Sequence, residues 1–191
     1  MTSDPVATVM SRAGVGAAAA TEQGATVPFD WDSIREELRS GHHLTWLTTT
    51  SRDGIPHVVP VFAAWDGVRC YIATNAKAVK ARHLTETGRC VLAADTGDAH
   101  IVIEAIGRWV RERDEMGRAS DAFQARGWPT AVVDDELQAP FAAPTSGGSP
   151  FQVWELAPVK AFGFPADGES NAPTRWTFGQ SEQMRRDARS G

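Results

Sequence analysis

Cysteine is nearly absent: Cys70 and Cys90 are the only two in 191 residues. Without CxxC spacing they read as free, buried thiols in a reducing cytoplasm. No apolar run approaches the roughly 20 residues that span a bilayer. Ala17 to Ala20 is the only small-residue run near the start, and no apolar block there resembles a signal peptide. A basic excess is missing too. The formal net charge of −5 argues against a nucleic-acid or anionic-membrane surface. The histidines are His42, His43, His57, His83 and His100, with no HxxH or HExxH among them and no second ligand near either cysteine. No metal site is predicted. GxSxG, a Walker lysine motif and GxGxxG are all lacking, which leaves hydrolase, P-loop and Rossmann readings without support. What remains is a cytoplasmic globular chain, 42% hydrophobic and 23% charged, long enough for one domain with appendages.

The domain reading divides the chain at residues 27 and 178. Residues 1–27 are rich in Ala, Gly, Thr and Ser without periodicity and are expected to be a disordered extension. Residues 28–178 form the folded domain, and 179–191 a flexible, polar tail. Within the domain, Asp30 or Asp32 caps a helix whose Trp31, Ile34 and Leu38 share one face, and Gly41 stops it. A strand over Leu44–Thr50 and a turn at Asp53-Gly54 follow, then strands over His57–Trp65 and Val68–Thr74. After a helix come strands from Arg89 and from His100, a second long helix ended by Gly127-Trp128-Pro129, and a last long strand broken at Pro158. Short hairpins around one inserted helix predict an antiparallel meander closing toward a barrel. Residues 134–150 are expected to be an irregular loop, of the kind that often contributes to a site.

The most informative stretch is Tyr71 to Leu84, a strand feeding a helix with Thr74 and Asn75 at the junction. A helix start leaves N–H groups unpaired and carries partial positive charge, which suits a phosphate. With the helix opening at Thr74 or Asn75, Lys80 lies one and a half turns in. At 100° per residue it stands about 40° from Leu84 and borders the buried face, whereas Arg82 is about 160° away and points outward. An ordinary capped surface helix with solvated lysines explains the same residues.

Pro60 sits inside a strand, where it removes a ladder donor, so an edge or bulge is expected there. Such an edge either offers its main chain to a flat ligand or is simply guarded against aggregation. Trp176 reads either as a hydrophobic latch for the C-terminus or as an aromatic wall beside Arg175, with the latch favoured.

Taken in order, Leu47 through Val61, Tyr71-Ile72-Ala73-Thr74 and Lys80-Ala81-Arg82-His83-Leu84 resemble the pyridoxamine 5′-phosphate oxidase-like family of split-barrel flavin and deazaflavin oxidoreductases. Gly127-Trp128-Pro129, Ala139-Pro140-Phe141, Ala161 to Phe164 and Thr174 to Phe178 extend the similarity. The resemblance implies a mainly β fold with flanking helices, a six-stranded antiparallel split β-barrel. It implies a homodimer with the cofactor in a groove between subunits. It places Thr74 and Lys80 at phosphate-binding positions, with Asn75 and Lys77 beside them, and Val59, Pro60 and Val61 along the cofactor ring. Arg82 is the second cation of the family's Lys-x-Arg pattern. The chain departs from the family at Ala78-Val79-Lys80, where true oxidases resemble Ser-Arg-Lys. Each lost charge-assisted hydrogen bond is worth roughly 1.5–3 kcal/mol. That departure disfavours vitamin B6 oxidation and a phosphate dianion. It favours coenzyme F-420, whose phosphodiester and glutamate tail Lys77, Lys80 and the helix start can hold, with FMN next. The expected function is hydride transfer between that ring and a small organic substrate. No catalytic residue is identified; His57 is the leading candidate for a proton donor, and also reads as a partly buried strand histidine. A flavin carrier without turnover, and a ligand-free dimeric interaction module, are the alternatives.

Overall fold

A computed structural model describes residues 4–10, 27–143, 147–167 and 171–179. Among these residues there are three helices and eleven strands, and every strand pairing is antiparallel. Helix α1 (Trp31–Ser40) begins where the Asp30 carboxylate accepts from Ser33 N at 2.9 Å and ends at Gly41, as its sequence predicts. It turns Trp31, Ile34 and Leu38 inward. Strand β2 (Thr45–Thr50) is joined to β3 (Pro56–Val61) through Gly54 at φ 81°. The strand expected over His57–Trp65 breaks at Phe62, and β4 (Ala63–Trp65) continues it in a different pairing.

That break explains the architecture. Strand β3 pairs with β2, β2 with β6 (Arg89–Asp95), β6 with β7 (Ala99–Val110), and β7 with β10 (Gln152–Pro165). Strand β10 then pairs with β5 (Cys70–Thr74), and β5 with β4. The path begins in β3 and ends in β4, two halves of one extended segment. A sheet whose two ends share a strand must curl on itself, so six staves form a split barrel. The register shift between Pro158 and Lys160 divides β10. Its first half holds β5, and its second half holds β11 (Thr174–Thr177). Pro60 lies on β3, at one end of the hydrogen-bonded order, in keeping with the edge its sequence predicts.

The N-terminal extension differs from expectation. Val6–Val9 forms β1, which pairs with β11 from Val6↔Thr177 to Val9↔Thr174. A four-residue exposed edge strand buries no face of its own, so it leaves no periodicity to read. The stretch 11–26 and the tail from 180 onward lie outside the described residues. A second difference falls in the loop expected at 134–150. β8 (Ala131–Val133) and β9 (Glu136–Gln138) form a hairpin, with Asp134 and Asp135 both at positive φ. Aspartate tolerates the left-handed region, so the pair makes a two-residue turn without glycine. The hairpin seats Leu137 in a cluster with Phe123, Val153 and Tyr71, under helix α3 (Arg113–Ala125).

The main core fills the barrel with Leu47, Ile72, Leu92, Ile101, Ile103 and Leu156. Cys70 and Cys90 are in it. Burial pushes the Cys90 thiol up to about 12 and the Cys70 thiol well above its ordinary value, reinforced there by the neighbouring Cys90. The thiolate is the reactive species. Neither thiol is therefore expected to react with an aromatic disulfide reagent at pH 8 in the native protein, while both react in denaturant. Fast native reaction of one thiol would show that the barrel opens. Among the described residues no helix is long and apolar enough to cross a membrane.

Candidate functional site

One end of the barrel gathers the C-terminal ends of β2, β5 and β7 and the N-terminal ends of β3, β6 and β10. Helix α2 (Val79–Thr87) lies across it. Leu84 holds the helix in place: a Cβ on Gly107 of β7 would stand 2.7 Å from its Cδ2 and 3.3 Å from Leu156 Cδ2. Only glycine lets the helix sit this close. Gly88, at φ 64°, ends α2 with its N–H on Leu84 O at 2.9 Å, and its own carbonyl accepts from Gly107 N at 2.6 Å.

The helix starts later than the sequence predicts. Neither Thr74 nor Asn75 caps it. The Asn75 side chain accepts from Lys77 N at 2.9 Å, and Ala78 N donates to Asn75 O at 3.0 Å, so the chain turns once before the helix begins. An asparagine bonding the backbone two residues on competes with helix in this way. The N-cap is Ala78, which has no side-chain acceptor to offer. Lys80 is consequently the second helical residue, in the first turn rather than one and a half turns in.

Three consequences bear on chemistry. The first backbone bond into the helix is from Arg82 N to Ala78 O at 3.2 Å. The N–H groups of Val79, Lys80 and Ala81 therefore precede the ladder and face out of the helix start. The Lys80 ammonium is half-buried, and burial alone lowers its pKa. Among the described residues no carboxylate pairs with it, and a desolvated, unpaired cation gains most from an incoming anion. Finally, Thr74 is 1% exposed and, among the described residues, its Oγ1 has no hydrogen-bond partner. An unpaired buried hydroxyl beside an uncapped helix start and a half-buried ammonium form a donor set for an anionic oxygen cluster.

The other expected site residues are placed differently. Arg82 points outward, as its helical phase predicts, and meets Glu86 at 4.0 Å. The Lys77 side chain is exposed. Asn75 is backed by Gly147, where a Cβ would approach its Nδ2 to 3.1 Å, so one end of the 134–150 segment does reach this mouth. Val59 and Val61 are half-buried and share the inward face of β3 with His57, whereas Pro60 is exposed on the opposite face. His57 lies 6.0 Å from His83, ring edge to ring. His83 is buried on α2, with Nδ1 3.2 Å from Thr49 Oγ1. Sequence reasoning passed over Arg111, which follows β7 directly and stacks over Trp109. Its only signal was the alternation Trp109, Arg111, which sets both on one face at the strand end.

A separate concavity lies elsewhere. A cavity of about 360 Å³ lies between β1 and the start of α1, lined by Asp4, Asp30, Asp32, Trp31 and Trp176 among others. Its three carboxylates have the wrong sign for a phosphate, so the α2 mouth is the better anion site. Among the described residues no group of three His, Cys, Asp or Glu side chains converges as a metal site would require.

Comparison with known proteins agrees with this geometry. The fold is similar to that of a conserved hypothetical protein, Rv2991, from Mycobacterium tuberculosis, with a TM-score of 0.57, 18% identity, and 76% of this chain and 90% of that chain covered. A heme binding protein from Mycobacterium smegmatis matches with a TM-score of 0.53 and 14% identity, over 81% of this chain and 61% of its own. A pyridoxamine 5′-phosphate oxidase-related, FMN binding protein from Nostoc punctiforme matches with a TM-score of 0.50 and 15% identity, over 75% and 86%. At these identities the likeness is one of fold. No curated protein matches. A sequence model of pyridoxamine 5′-phosphate oxidase, however, matches residues 31–163, most of the chain and all six staves except the end of β10. The split barrel, the helix across its mouth and that match make this chain a member of the pyridoxamine 5′-phosphate oxidase-like family.

Proposed function

We propose that the protein is a homodimeric oxidoreductase that moves a hydride between a flavin-like ring and a small organic substrate, with coenzyme F-420 preferred and FMN next. The observation that carries this is the unpaired Thr74 hydroxyl beside the uncapped start of α2 and the half-buried Lys80. Ala78 and Val79 supply no side-chain donor. The helix mouth therefore offers one half-buried cation, Lys80, with Lys77 exposed beside it, which suits the single charge of a phosphodiester better than the two of a phosphate monoester.

When bound, the cofactor supplies the hydride chemistry, and the protein orients it and keeps water away. Lys80 and the three leading N–H groups of α2 hold the phosphate. The inward, half-buried face of β3 at Val59 and Val61 offers apolar contact to the ring, and Pro60 faces away from it. His57 and His83 stand at the same end of the barrel, and His57 is the imidazole from which a proton would be delivered.

The dimer is supported by the outer face of the sheet. Pro60, Trp46, Ala93, Val102 and Phe162 are successive partners across β3, β2, β6, β7 and β10, and Val58 lies beside them. Trp46 is 42% and Val58 53% exposed. A contiguous apolar band of this kind marks a protein interface.

Lys80→Ala tests the site. It is expected to weaken cofactor binding tenfold or more, on the scale of roughly 1.4 kcal/mol per decade, with an unchanged melting temperature. Equal affinity in a fluorescence titration would place the phosphate elsewhere. Absorption of the purified protein separates the ligands: FMN bands support FMN, and a colourless protein that binds added F-420 supports the first choice. A Soret band on adding haem would favour a second reading, which the half-buried His57 beside His83 and the fold of the mycobacterial haem binder support.

A further inference from the structure

The barrel end described above carries a guanidinium with no task yet. Arg111 Cζ lies 4.2 Å from the centroid of the Trp109 ring. Trp109 in turn stacks on Trp154, with centroids 6.4 Å apart and planes at 23°. The column holds an exposed side chain flat, which removes much of the rotamer freedom an arginine would lose on binding. Arg111 has no carboxylate partner among the described residues, whereas Arg69, just before β5, and Arg108 on β7 meet Glu155. The Nε1 of Trp154, buried beneath it, is also without a partner.

Register fixes where this column stands. On β10, Trp154 pairs with Ile72 on one side and Trp109 on the other, and Gln152 pairs with Thr74. Val153 pairs with Val110, so one step further Arg111 comes level with Gln152. Thr74, Gln152 and Arg111 thus lie side by side along the rim, and the inward alternation Gly107, Trp109, Arg111 turns the guanidinium toward the side on which α2 lies. With strands about 4.8 Å apart, the backbones of Thr74 and Arg111 are about 10 Å apart. One anion at the α2 start does not span that distance; a ligand with a second acidic group several bonds further on does.

We propose that Arg111 is a second anion-binding point of this site, one that reads an acidic group set beyond the phosphate. The site then selects a cofactor carrying two separated anionic groups over one that ends at its phosphate. This inference rests on the phosphate reading of the α2 mouth. A guanidinium pinned on one face keeps its in-plane N–H fork free, and that fork matches a carboxylate in bidentate fashion, which an ammonium does not. F-420 continues from its phosphodiester into glutamate carboxylates; FMN ends at the phosphate.

The test compares F-420 and FMN as probes by tryptophan-fluorescence titration of the wild type, Arg111→Gln, Arg111→Lys and Lys80→Ala. Arg111→Gln is expected to weaken F-420 tenfold or more and FMN less than twofold, with Arg111→Lys between wild type and Gln for F-420. Lys80→Ala is expected to weaken both probes. An Arg111→Gln protein that binds F-420 as the wild type does, or that loses both probes equally at an unchanged melting temperature, overturns the inference and leaves the phosphate reading standing. A silent Lys80→Ala with a selective Arg111→Gln loss removes the phosphate reading, and with it the inference that Arg111 is a second point of that site. If the wild type binds neither probe, both fall.

Discussion

Trp46→Asp is expected to yield a folded monomer that has lost its cofactor. Trp46 occupies the middle of the apolar band, between Pro60 on β3 and Ala93 on β6, and it is 42% exposed in the single chain. In the monomer the substitution exchanges one half-exposed side chain for a soluble one, so the barrel, whose core is on the other face of β2 at Leu47 and Thr49, loses little. In a dimer that closes over the band, the same aspartate is desolvated against an apolar partner, and a buried unpaired carboxylate is among the costliest changes an interface can suffer. The groove between subunits that the family resemblance implies for the cofactor is then lost. Sedimentation velocity of wild type and Trp46→Asp measures the state, and an absorption or fluorescence titration measures the cofactor. Val58→Glu, one row along the same face, gives an independent copy of the result. If both variants sediment as the wild type does, the band is not the interface. If they are monomeric yet bind cofactor with unchanged affinity, the second subunit contributes nothing to the site.

The parts of this fold that were legible in sequence are those fixed by local chemistry. Asp30 and Gly41 bound α1 because a carboxylate caps N–H groups and glycine relieves crowding at a helix end; a Cβ at Gly41 would stand 2.6 Å from Glu37 O. Asp53-Gly54 closes the β2–β3 hairpin because Gly54 takes positive φ at no steric cost. Pro60 announced an edge because proline has no donor for a ladder. The features that were missed depend on partners far along the chain. Phe62, where the strand changes neighbours, looks like any aromatic strand residue, and only the second sheet arm at β4 and β5 makes it a corner. The Val6–Val9 strand exists because β11 offers an edge some 170 residues away.

The site divides along the same line. Thr74 and Lys80 could be singled out because a strand running into a helix leaves donors at the junction whatever the rest of the chain does. Where the helix begins could not, because Asn75 competes for the same backbone and wins by its bond to Lys77 N. That competition moves the start of α2 to Val79 and brings Lys80 into the first turn, among the free N–H groups. Arg111 was invisible for a different reason. Its relation to Thr74 passes through β10, so it needs two registers that no local pattern contains.

Trp176→Ala is expected to cost about 3–5 kcal/mol of folding stability, the range for removing a large aromatic from a packed core. Trp176 is fully buried although it stands in the last described strand. Its ring lies 5.2 Å from that of Trp31, and Trp31 receives the edge of Phe178 at 5.0 Å. Gly163 on β10 admits it, since a Cβ there would be 2.8 Å from Trp176 Cη2 and 3.2 Å from Phe29. The indole thus clasps α1, β10 and β11 together, the latch that its sequence position suggested, and it closes within one chain. Among the described residues its Nε1 has no partner, a small standing cost that phenylalanine would not carry. Trp176→Phe is accordingly expected to retain most of the stability, and the gap between the two variants measures packing rather than hydrogen bonding. Urea denaturation followed by circular dichroism gives both values. A loss below about 0.5 kcal/mol for the alanine variant, within the range of ordinary surface substitutions, would mean that β11 unfolds apart from the barrel and that the clasp does not hold the termini to it.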